Sequence, residues 1–424
     1  MPQLSNLAQN LIGSEIIKLN QVITEKVKSG EKIYNLTIGD FNPDFFPIPQ
    51  YLADLIKTAY QNGHTNYPPA DGIPELKQSI LKYIHETQDL NFNNTEIMIA
   101  GGGRPLIYAI YKAIVDPGDV VIYPVPSWNN NHYCFLSGAN GIAIETVAEN
   151  GFLPTLEDIR PHLKDAVLLP LCSPSNPTGT MFSLEQLRDI VHAVMEENRI
   201  RVEENRKPLY LMYDQIYSAL HDTSHIHYDP VSILPEIRPY VIYVDGISKS
   251  LAATGLRLGW SFGPDIIISK MKSILGHIGA WAPKAEQVAC SDFFNQKGTY
   301  ETAFSQMNMK IDAVSKRVYE SIKAMNAEGL PIDIIPPQGA IYLSVKFPIK
   351  GMRTGDGGLI DTTQDIADFL LNHAHLGIIP FTAFGCTDGT EWFRISVGTL
   401  DWTELDELTS CLKNALQSLT NHGH

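Results

Sequence analysis

Five short apolar segments, separated by longer stretches with helical periodicity, constrain the fold of this chain more than any other feature. They are "EIMIA", "VVIYP", "AVLLPL", "LYLMYD" and "YVIYVD", and they lie between about residues 95 and 260. Each segment is apolar at both alternating positions, which is typical of parallel strands that are buried on both faces. Strands that alternate with helices predict an α/β fold with a mainly parallel central sheet.

The sequence on either side of this region predicts a second, smaller unit. Shorter strand and helix patterns follow from about residue 325, and the first 47 residues lead into the Pro- and Gly-punctuated segment "LTIGDFNPDFFPIP". A chain of 424 residues is long enough for two domains. We therefore expect a large domain at 48–324 and a small α+β domain formed by 1–47 and 325–424.

Charge and cysteine content limit the partners and the location of the protein. A formal net charge of -15 disfavours nucleic acid or an anionic membrane surface as a partner. The five cysteines are scattered, with no C-x-x-C pair, so the sequence predicts neither a disulfide framework nor a metal site. The sequence shows no secretory signal and no apolar stretch of membrane-span length, so we expect a cytoplasmic protein.

Ligands of open parallel sheets bind outside the carboxyl ends of the strands, so the residues that follow each segment are informative. The first segment is followed by "GGGRP", a glycine turn that opens a helix. Such a turn lets backbone N–H groups approach an anion, although a turn that only permits a tight connection is equally common. The turn lacks the third glycine of the dinucleotide fingerprint, so it permits a phosphate and argues against NAD.

The next two segments are followed by an aromatic ring and an amide, and the fourth segment ends in a carboxylate. These are Trp128, Asn176 and Asp214. A tryptophan can stack on a flat heterocycle, and a carboxylate that ends an apolar strand is costly unless it is paired with a cation. Each residue alone also has an ordinary explanation, namely core packing, turn chemistry or a helix N-cap.

The fifth segment is followed by "GISKSLAATGLRLG", which contains Lys249 and Arg257 among small, uncharged residues. Most lysines lie on the surface, but a desolvated lysine has a lowered pKa and can act as a Schiff-base nucleophile. An anion loop, a flat ring, an amide, a carboxylate and an amine at one sheet edge match one cofactor. That cofactor is a phosphorylated pyridine aldehyde.

At this point the chain resembles the fold-type I pyridoxal-phosphate enzymes, specifically the class I/II aminotransferases of the aspartate aminotransferase family, over essentially its whole length. The segment "GISKSLAATGLRLG" fits the lysine signature of that family at every restricted position. The resemblance implies that Lys249 binds pyridoxal 5'-phosphate as an internal aldimine and then shuttles a proton. It implies that Arg257 grips the phosphate and that Asp214 keeps the pyridine nitrogen protonated.

The resemblance also implies the other contacts of the site. Tyr217 and Asn176 would hydrogen-bond the ring hydroxyl, and Trp128 would stack on the ring. The phosphate loop would be formed by Gly102, Gly103 and Arg104. The substrate would be held by Gly39 and Arg394 at its α-carboxylate, with Trp128 and Asn176 beside it. Tyr67, in "NYPPADGIPEL", would reach the phosphate of a neighbouring subunit, which implies a homodimer with shared sites.

Two departures from the family pattern bear on the expected site. Gly246 stands where many relatives have a phosphate-binding serine, so we expect Ser248 to supply that hydroxyl. Gly276 and His277 lie in the stretch where some aspartate-specific relatives place an arginine for the distal carboxylate. Selectivity for aspartate is therefore not predicted, and Arg104 is one residue that could substitute.

Two aromatic residues near the site, Tyr342 and Phe384, have two open interpretations, pocket lining and core packing. The expected function is an aminotransferase that moves the α-amino group of an L-amino acid to a 2-oxo acid such as 2-oxoglutarate. The alternative is a pyridoxal-phosphate lyase or cyclising synthase with the same lysine, aspartate and arginine. A cofactor-binding regulator is disfavoured, because no DNA-binding module fits before "LTIGD".

Overall fold

The computed structural model describes residues 4–11, 13 and 15–420. Within these residues the helices are α1 (Asn6–Asn10), α2 (Glu15–Lys28), α3 (Gln50–Gln61), α4 (Pro74–Gln88), α5 (Gly103–Ile114), α6 (Asn130–Ser137), α7 (Leu156–Ile159), α8 (Leu184–Glu203), α9 (Pro230–Ile233), α10 (Ile247–Ser250), α11 (Asp265–Ile278), α12 (Lys284–Asn295), α13 (Thr299–Ala327), α14 (Thr363–His373) and α15 (Leu405–Gln417). The strands are β1 (Tyr34–Asn35), β2 (Ile97–Ala100), β3 (Val120–Val125), β4 (Asn140–Glu145), β5 (Ala166–Cys172), β6 (Tyr210–Asp214), β7 (Val241–Gly246), β8 (Gly259–Phe262), β9 (Asp333–Ile334), β10 (Tyr342–Lys346), β11 (Leu376–Gly377), β12 (Ile379–Pro380) and β13 (Trp392–Ser396).

The central sheet has seven strands in the order β2-β8-β7-β6-β5-β3-β4. Only β8 runs against its neighbours, so the prediction of a mainly parallel sheet is confirmed. The five apolar segments form β2, β3, β5, β6 and β7. Two strands, β4 and β8, were not predicted from the sequence. β4 is a largely exposed edge strand, and β8 is four residues long and begins with glycine, so neither carries the signature of a strand buried on both faces.

Alternating side chains of the central strands enter two separate hydrophobic cores, one on each face of the sheet. In β7, Val241 and Tyr243 belong to the core that α4, α8 and α12 help to form, whereas Ile242 and Val244 belong to the core with α5 and α11. This two-residue alternation explains why the strands are apolar at every position. Some of the helices between them begin at side-chain caps. At α8, for example, the Ser183 side chain accepts a hydrogen bond from the backbone N–H of Gln186.

A second sheet, antiparallel and in the order β12-β13-β10-β9, lies with α13, α14 and α15 around a core of its own. The segment that precedes α3 joins this core through Leu36, and β1 pairs with β11. Within α13, side chains up to Phe304 pack against the core that α4, α8 and α12 help to form. Those from Met307 onward pack against the core of the antiparallel sheet. The division into 48–324 and two flanking segments stays a prediction. Its small unit includes residues 1–3, 12, 14 and 421–424, which lie outside the described residues.

None of the helices in the described part of the chain combines the length and apolarity that a membrane span requires. The two sheets contribute to one site. The carboxyl ends of β5, β6 and β7 point toward residues of β10 and β13, so side chains from both sheets meet around a common cavity.

Candidate active site

A cavity of about 700 Å³ opens at the carboxyl ends of the central strands. Most of the residues expected at the site line it: Gly39, Gly103, Arg104, Trp128, Asn176, Asp214, Tyr217, Ser248, Lys249, Arg257, Tyr342 and Arg394. Three others do not line it, namely Gly102, Tyr67 and Phe384. The topology thus brings together segments that are more than three hundred and fifty residues apart in the chain.

Lys249 lies in the short helix α10, directly after β7, and its amine points into the cavity. Its Nζ donates a hydrogen bond of 2.6 Å to the carbonyl oxygen of Gly39. No carboxylate in the described parts of the chain lies within ion-pair distance of this amine. Burial lowers the pKa of Lys249 to about 8. The charge of Asp40 opposes this shift, and nearby arginines add to it.

Asp214 is the last residue of β6 and lines the floor of the same cavity. Its Oδ1 accepts a hydrogen bond of 3.1 Å from the backbone N–H of Ile216. Burial raises the pKa of this carboxyl to about 6, and the backbone hydrogen bond and the charge of Lys249 oppose the shift. Among the residues that the structure describes, no lysine, arginine or histidine forms an ion pair with it. The cavity therefore contains an anionic site without a protein cation.

Arg394 projects from β13 and is only 1% exposed. Its Nη1 donates a hydrogen bond of 3.1 Å to Asn176 Oδ1, and its Nη2 donates to the carbonyl oxygen of Thr37. Its Nε is buried and has no hydrogen-bond partner within the described residues. The guanidinium carbon lies 4.6 Å from the Tyr342 ring centre and 4.8 Å from that of Phe384. Phe384 thus packs against the arginine, and burial lowers the pKa of the guanidinium.

Two tyrosine hydroxyls meet beside the lysine. The Tyr217 and Tyr342 hydroxyl oxygens are 2.7 Å apart, and either hydroxyl can donate. The Lys249 amine lies 5.9 Å from the Tyr217 ring centre. Burial raises the pKa of the Tyr217 hydroxyl well above its ordinary value, so the hydroxyl stays protonated at neutral pH.

Arg257 forms the other end of the cavity, beside the glycine turn. Its Nη1 donates 2.6 Å to the Thr254 carbonyl, and its Nη2 donates 2.8 Å to the Gly101 carbonyl. Gly102 has a φ of 99°, and a Cβ at this position would lie 2.5 Å from the Arg257 guanidinium. A glycine is therefore needed for this close approach. A guanidinium and the first N–H groups of a helix are both groups that can bind an anion.

Gly246, the departure from the family pattern, has a steric explanation. It pairs with Gly259 in the antiparallel ladder of β7 and β8. A Cβ at Gly246 would lie 2.8 Å from both the Gly259 Cα and the Leu258 carbonyl oxygen. A serine would therefore require the backbone of β8 to move. Ser248, which is buried and lines the cavity, is the nearby hydroxyl.

Some expected residues lie apart from the cavity. Tyr67 is 81% exposed, and its ring makes an edge contact of 4.9 Å with that of Trp281. Gly276 and His277 lie in α11 and do not line the cavity. Arg104 does line it, with its guanidinium 5.2 Å from the Trp128 ring centre.

Several residues of the cavity were not predicted from the sequence. Asp40 Oδ1 accepts a hydrogen bond of 2.7 Å from Thr254 Oγ1, which ties the segment after β1 to the lysine segment. The sequence could have indicated both residues, because Asp40 follows Gly39 and Thr254 lies within "GISKSLAATGLRLG". Asn20 of α2 and Cys172 of β5 also line the cavity, but their sequence context carries no comparable signal.

Comparison with known proteins identifies the family. The profile of the family "Aminotransferase class I and II" matches residues 31–412. The chain is 27% identical over 400 residues to an aspartate aminotransferase of Bacillus sp. (strain YM-2), covering 93% of this chain and 95% of that protein. It is 29% identical over 398 residues to a probable aspartate/prephenate aminotransferase of Rickettsia typhi, covering 93% and 94%.

Solved structures show the same fold. The aspartate aminotransferase from Rhizobium meliloti superimposes with a TM-score of 0.89 at 24% identity, covering 99% of this chain and 100% of that one. The aspartate aminotransferase from Thermus thermophilus with maleate gives a TM-score of 0.85 at 23% identity, covering 98% and 100%. The fold is therefore fold type I, as predicted.

The chain belongs to the class I and II aminotransferases. It is a pyridoxal-phosphate-dependent transaminase that acts on amino acids and 2-oxo acids. The lyase alternative is not favoured.

Proposed function

We propose that this member of the class I and II aminotransferases transfers the α-amino group of an acidic L-amino acid to a 2-oxo acid such as 2-oxoglutarate. One observation carries the proposal. A single cavity holds the Lys249 amine, the Asp214 carboxyl and the Arg394 guanidinium, and none of them is in an ion pair with another described residue. Buried charges without counter-ions are costly, and they are expected where a ligand supplies the missing charges.

Residues that line or border the cavity fit the functional groups of pyridoxal phosphate. Lys249 would bind its carbonyl carbon, Asp214 its ring nitrogen, and Arg257 with the turn at Gly102 its phosphate. Ser248 would add a hydroxyl to the phosphate site. When bound, the cofactor supplies a carbonyl carbon for the amino group and a ring that accepts electrons from the substrate.

The lowered pKa of Lys249 determines what its amine can do. A pKa of about 8 leaves an appreciable unprotonated fraction near neutral pH, as a nucleophile and a general base both require. The Gly39 carbonyl orients the amine through their hydrogen bond of 2.6 Å. We propose that Lys249 Nζ removes the proton from the substrate Cα and later returns it, while Asp214 would supply the negative charge at the ring nitrogen.

Arg394 would bind the α-carboxylate of the substrate. Its Nε has no partner within the described residues, and the hydrogen bonds to Asn176 and Thr37 fix the plane of the guanidinium. A planar guanidinium held in this way can bind a carboxylate with two parallel hydrogen bonds. Trp128, which lines the same cavity, would stack on the cofactor ring, and Gly39 would lie beside the substrate.

Arg104 supports the choice of an acidic donor. It lines the cavity, lies over the Trp128 ring, and is in no ion pair with another described residue. A second cation in the cavity can bind the distal carboxylate of aspartate or glutamate. This role would replace the arginine that is missing at Gly276 and His277. The names of the relatives from Bacillus sp. and Rickettsia typhi are in line with this donor class.

We further propose a cytoplasmic homodimer in which each subunit contributes Tyr67 to the site of its neighbour. The exposure of Tyr67 supports this arrangement, because a tyrosine that is 81% exposed is free to contact another chain. The five cysteines are all free, which agrees with a reducing compartment.

A panel of L-amino acids with 2-oxoglutarate tests the donor class. We expect the fastest half-reactions with aspartate and glutamate. Arg104→Ala should lower kcat/KM for these donors by roughly 10- to 100-fold more than for alanine, the size of a hydrogen-bonded charge contact. Faster turnover of neutral donors, with no effect of Arg104→Ala on acidic ones, would contradict the proposal. Release of pyruvate and ammonia without an acceptor would instead indicate a lyase.

A further inference from the structure

Tyr342 and Tyr217 reach the cavity from the two different sheets. Tyr342 is the first residue of β10 in the antiparallel sheet, whereas Tyr217 follows β6 of the central sheet. Both side chains are buried, with 2% exposure each. Their hydroxyl oxygens are 2.7 Å apart, and their ring centres are 5.6 Å apart at an angle of 72°. This contact joins the two sheets at the centre of the site.

The ring of Tyr342 also contacts Arg394. In the antiparallel pair of β10 and β13, Ser344 pairs with Arg394 and Tyr342 pairs with Ser396. Tyr342 and Arg394 are therefore diagonal neighbours on one face of the sheet, where long side chains can touch. The guanidinium carbon lies 4.6 Å from the ring centre, which is a cation–π contact in a desolvated place.

The hydroxyl of Tyr342 is sterically confined. A Cβ at Gly39 would collide with this hydroxyl, so the backbone of Gly39 packs directly against it. The same residue accepts the hydrogen bond of Lys249. Within the described residues, the Tyr342 hydroxyl has the Tyr217 hydroxyl as its hydrogen-bond partner. The position of one hydroxyl therefore determines that of the other.

We propose that Tyr342 is a positioning residue that links the substrate-carboxylate site to the cofactor site. Its hydroxyl holds the Tyr217 hydroxyl, and its ring holds the guanidinium of Arg394. The inference rests on the proposed function, because it assumes that Tyr217 faces the ring hydroxyl of the cofactor and that Arg394 binds the substrate. In this role Tyr342 contacts neither the cofactor nor the substrate directly.

The hydrogen-bond chain gives this arrangement a chemical consequence. When the Tyr217 hydroxyl donates to the cofactor, its oxygen can accept a hydrogen bond from Tyr342. A donor that itself accepts a hydrogen bond is a stronger donor, because neighbouring bonds polarise one another. Tyr217 should then stabilise the deprotonated form of the bound chromophore. If Tyr342 only filled space, removing its oxygen would change stability and leave the chromophore unchanged.

Two variants of the holoenzyme separate the two contacts of Tyr342. Tyr342→Phe removes the hydroxyl and keeps the ring over Arg394. We expect the pH midpoint of the visible cofactor absorbance to rise by about half to one unit, the effect of one ordinary hydrogen bond. The dissociation constant for maleate, an unreactive dicarboxylate, should change by less than about twofold, because the ring contact remains.

Tyr342→Leu removes both contacts. Its absorbance midpoint should rise as in Tyr342→Phe, and its affinity for maleate should fall by roughly 5- to 30-fold through the loss of the cation–π contact. Tyr243→Phe is the matched control. Tyr243 is fully buried, donates 2.8 Å to Asp229, and does not line the cavity. The Tyr243→Phe variant should be less stable, with an unchanged pH midpoint of the cofactor absorbance and an unchanged affinity for maleate.

An unchanged absorbance midpoint in Tyr342→Phe would overturn the proposal, and so would an equal shift in Tyr243→Phe. If Tyr342→Leu does not fold, Tyr342→Phe still decides the role of the hydroxyl. These outcomes differ from failure of the proposed function. In that case the unmodified protein would show no visible absorbance with pyridoxal phosphate, or would transfer no amino group.

Discussion

Arg394 carries a charge that the described residues do not neutralise. It is almost fully buried, and its hydrogen bonds go to an amide and a carbonyl rather than to a carboxylate. A buried, unpaired cation destabilises the folded protein. Arg201 is the useful contrast. It is equally buried, but its Nε is 2.7 Å from Glu197 Oε1, and it also donates to backbone carbonyls. Arg201 is therefore a structural arginine, whereas Arg394 has a free binding capacity.

Arg394→Met should separate stability from binding. Substrate affinity should fall by about 2–5 kcal/mol, because the substrate carboxylate loses its partner. The free energy of unfolding of the ligand-free protein should stay equal or increase, since an unpaired buried charge is removed. Chemical denaturation and half-reaction titrations measure the two effects. Arg201→Met, the control, should lose about 3–5 kcal/mol of stability at unchanged affinity. The reverse pattern would remove Arg394 from the site.

The lowered pKa of Lys249 predicts a pH-dependent stability in protein freed of cofactor. Its ordinary value is 10.5 and its value in the folded state is about 8, so the unfolded state binds more protons between these two values. The free energy of unfolding should therefore rise with pH from about 8 to 10.5, by roughly 3 kcal/mol, and the lysine should contribute no slope below pH 8.

Comparison with Lys249→Met isolates this contribution, because the other titrating groups are common to both proteins. In urea denaturation at pH 7.5, the variant should have the larger free energy of unfolding. At pH 10 the difference between the two proteins should be smaller. Parallel pH curves for the two proteins would show that Lys249 titrates in the folded state as it does in the unfolded chain.

At the level of elements, the pairing of β7 with β8 determines which residue can precede the lysine helix. Gly246 and Gly259 face each other in the ladder, and neither has room for a Cβ beside the opposing backbone. Neither position therefore tolerates a side chain, and Lys249 follows three residues after Gly246 at the cavity edge. A backbone cannot rotate away as a flexible side chain can, so a larger residue would move β8 itself.

Gly246→Ser should consequently lower stability rather than restore a phosphate contact. We expect a loss of about 1–3 kcal/mol in the free energy of unfolding, the usual effect of overpacking, measured by chemical denaturation. Gly276→Ala is the control, because a Cβ there would meet only the Ala70 Cβ at 3.6 Å. Inside α11 that change should add about 0.5–1 kcal/mol. Equal stabilities for Gly246→Ser and the unmodified protein would refute the steric explanation.

The sequence predicted elements and strand-end residues where the signal was local. The apolar segments marked β2, β3, β5, β6 and β7, and the lysine segment indicated Lys249, Arg257 and the cofactor. β4 and β8 were missed, because an exposed edge strand and a short glycine-containing strand have no such pattern. The contact of Tyr342 with Tyr217 was not predictable either. It depends on how two sheets meet, and no local pattern reports that.

At the level of the whole molecule, the cavity is assembled from both sheets, yet one expected residue stays outside it. Tyr67 lies in the segment before α4, and its hydroxyl has no hydrogen-bond partner among the described residues. An exposed tyrosine beside Trp281 has no evident structural role within a single chain. A partner subunit would give it one, if the Tyr67 hydroxyl donated a hydrogen bond at the phosphate site of that partner. The composition of the complete site would then depend on oligomeric state.

Removing the Tyr67 hydroxyl tests this arrangement. The protein should have twice the 47.1 kDa mass of one chain in light scattering. Tyr67→Phe should weaken cofactor binding by roughly 10-fold, the effect of one hydrogen bond to a charged phosphate, although Tyr67 does not line the cavity of its own chain. Tyr60→Phe is the control. Tyr60 is also exposed, but its hydroxyl donates 2.8 Å to Glu286 of the same chain, so cofactor affinity should not change.

The two measurements must agree for the shared site to hold. Dilution below the dimer dissociation constant should weaken cofactor binding in the unmodified protein and have less effect in Tyr67→Phe, because the variant has already lost the contact between subunits. A monomer with full cofactor affinity would exclude the shared site. So would a dimer in which Tyr67→Phe binds the cofactor as tightly as the unmodified protein, since the exposed hydroxyl would then serve neither chain.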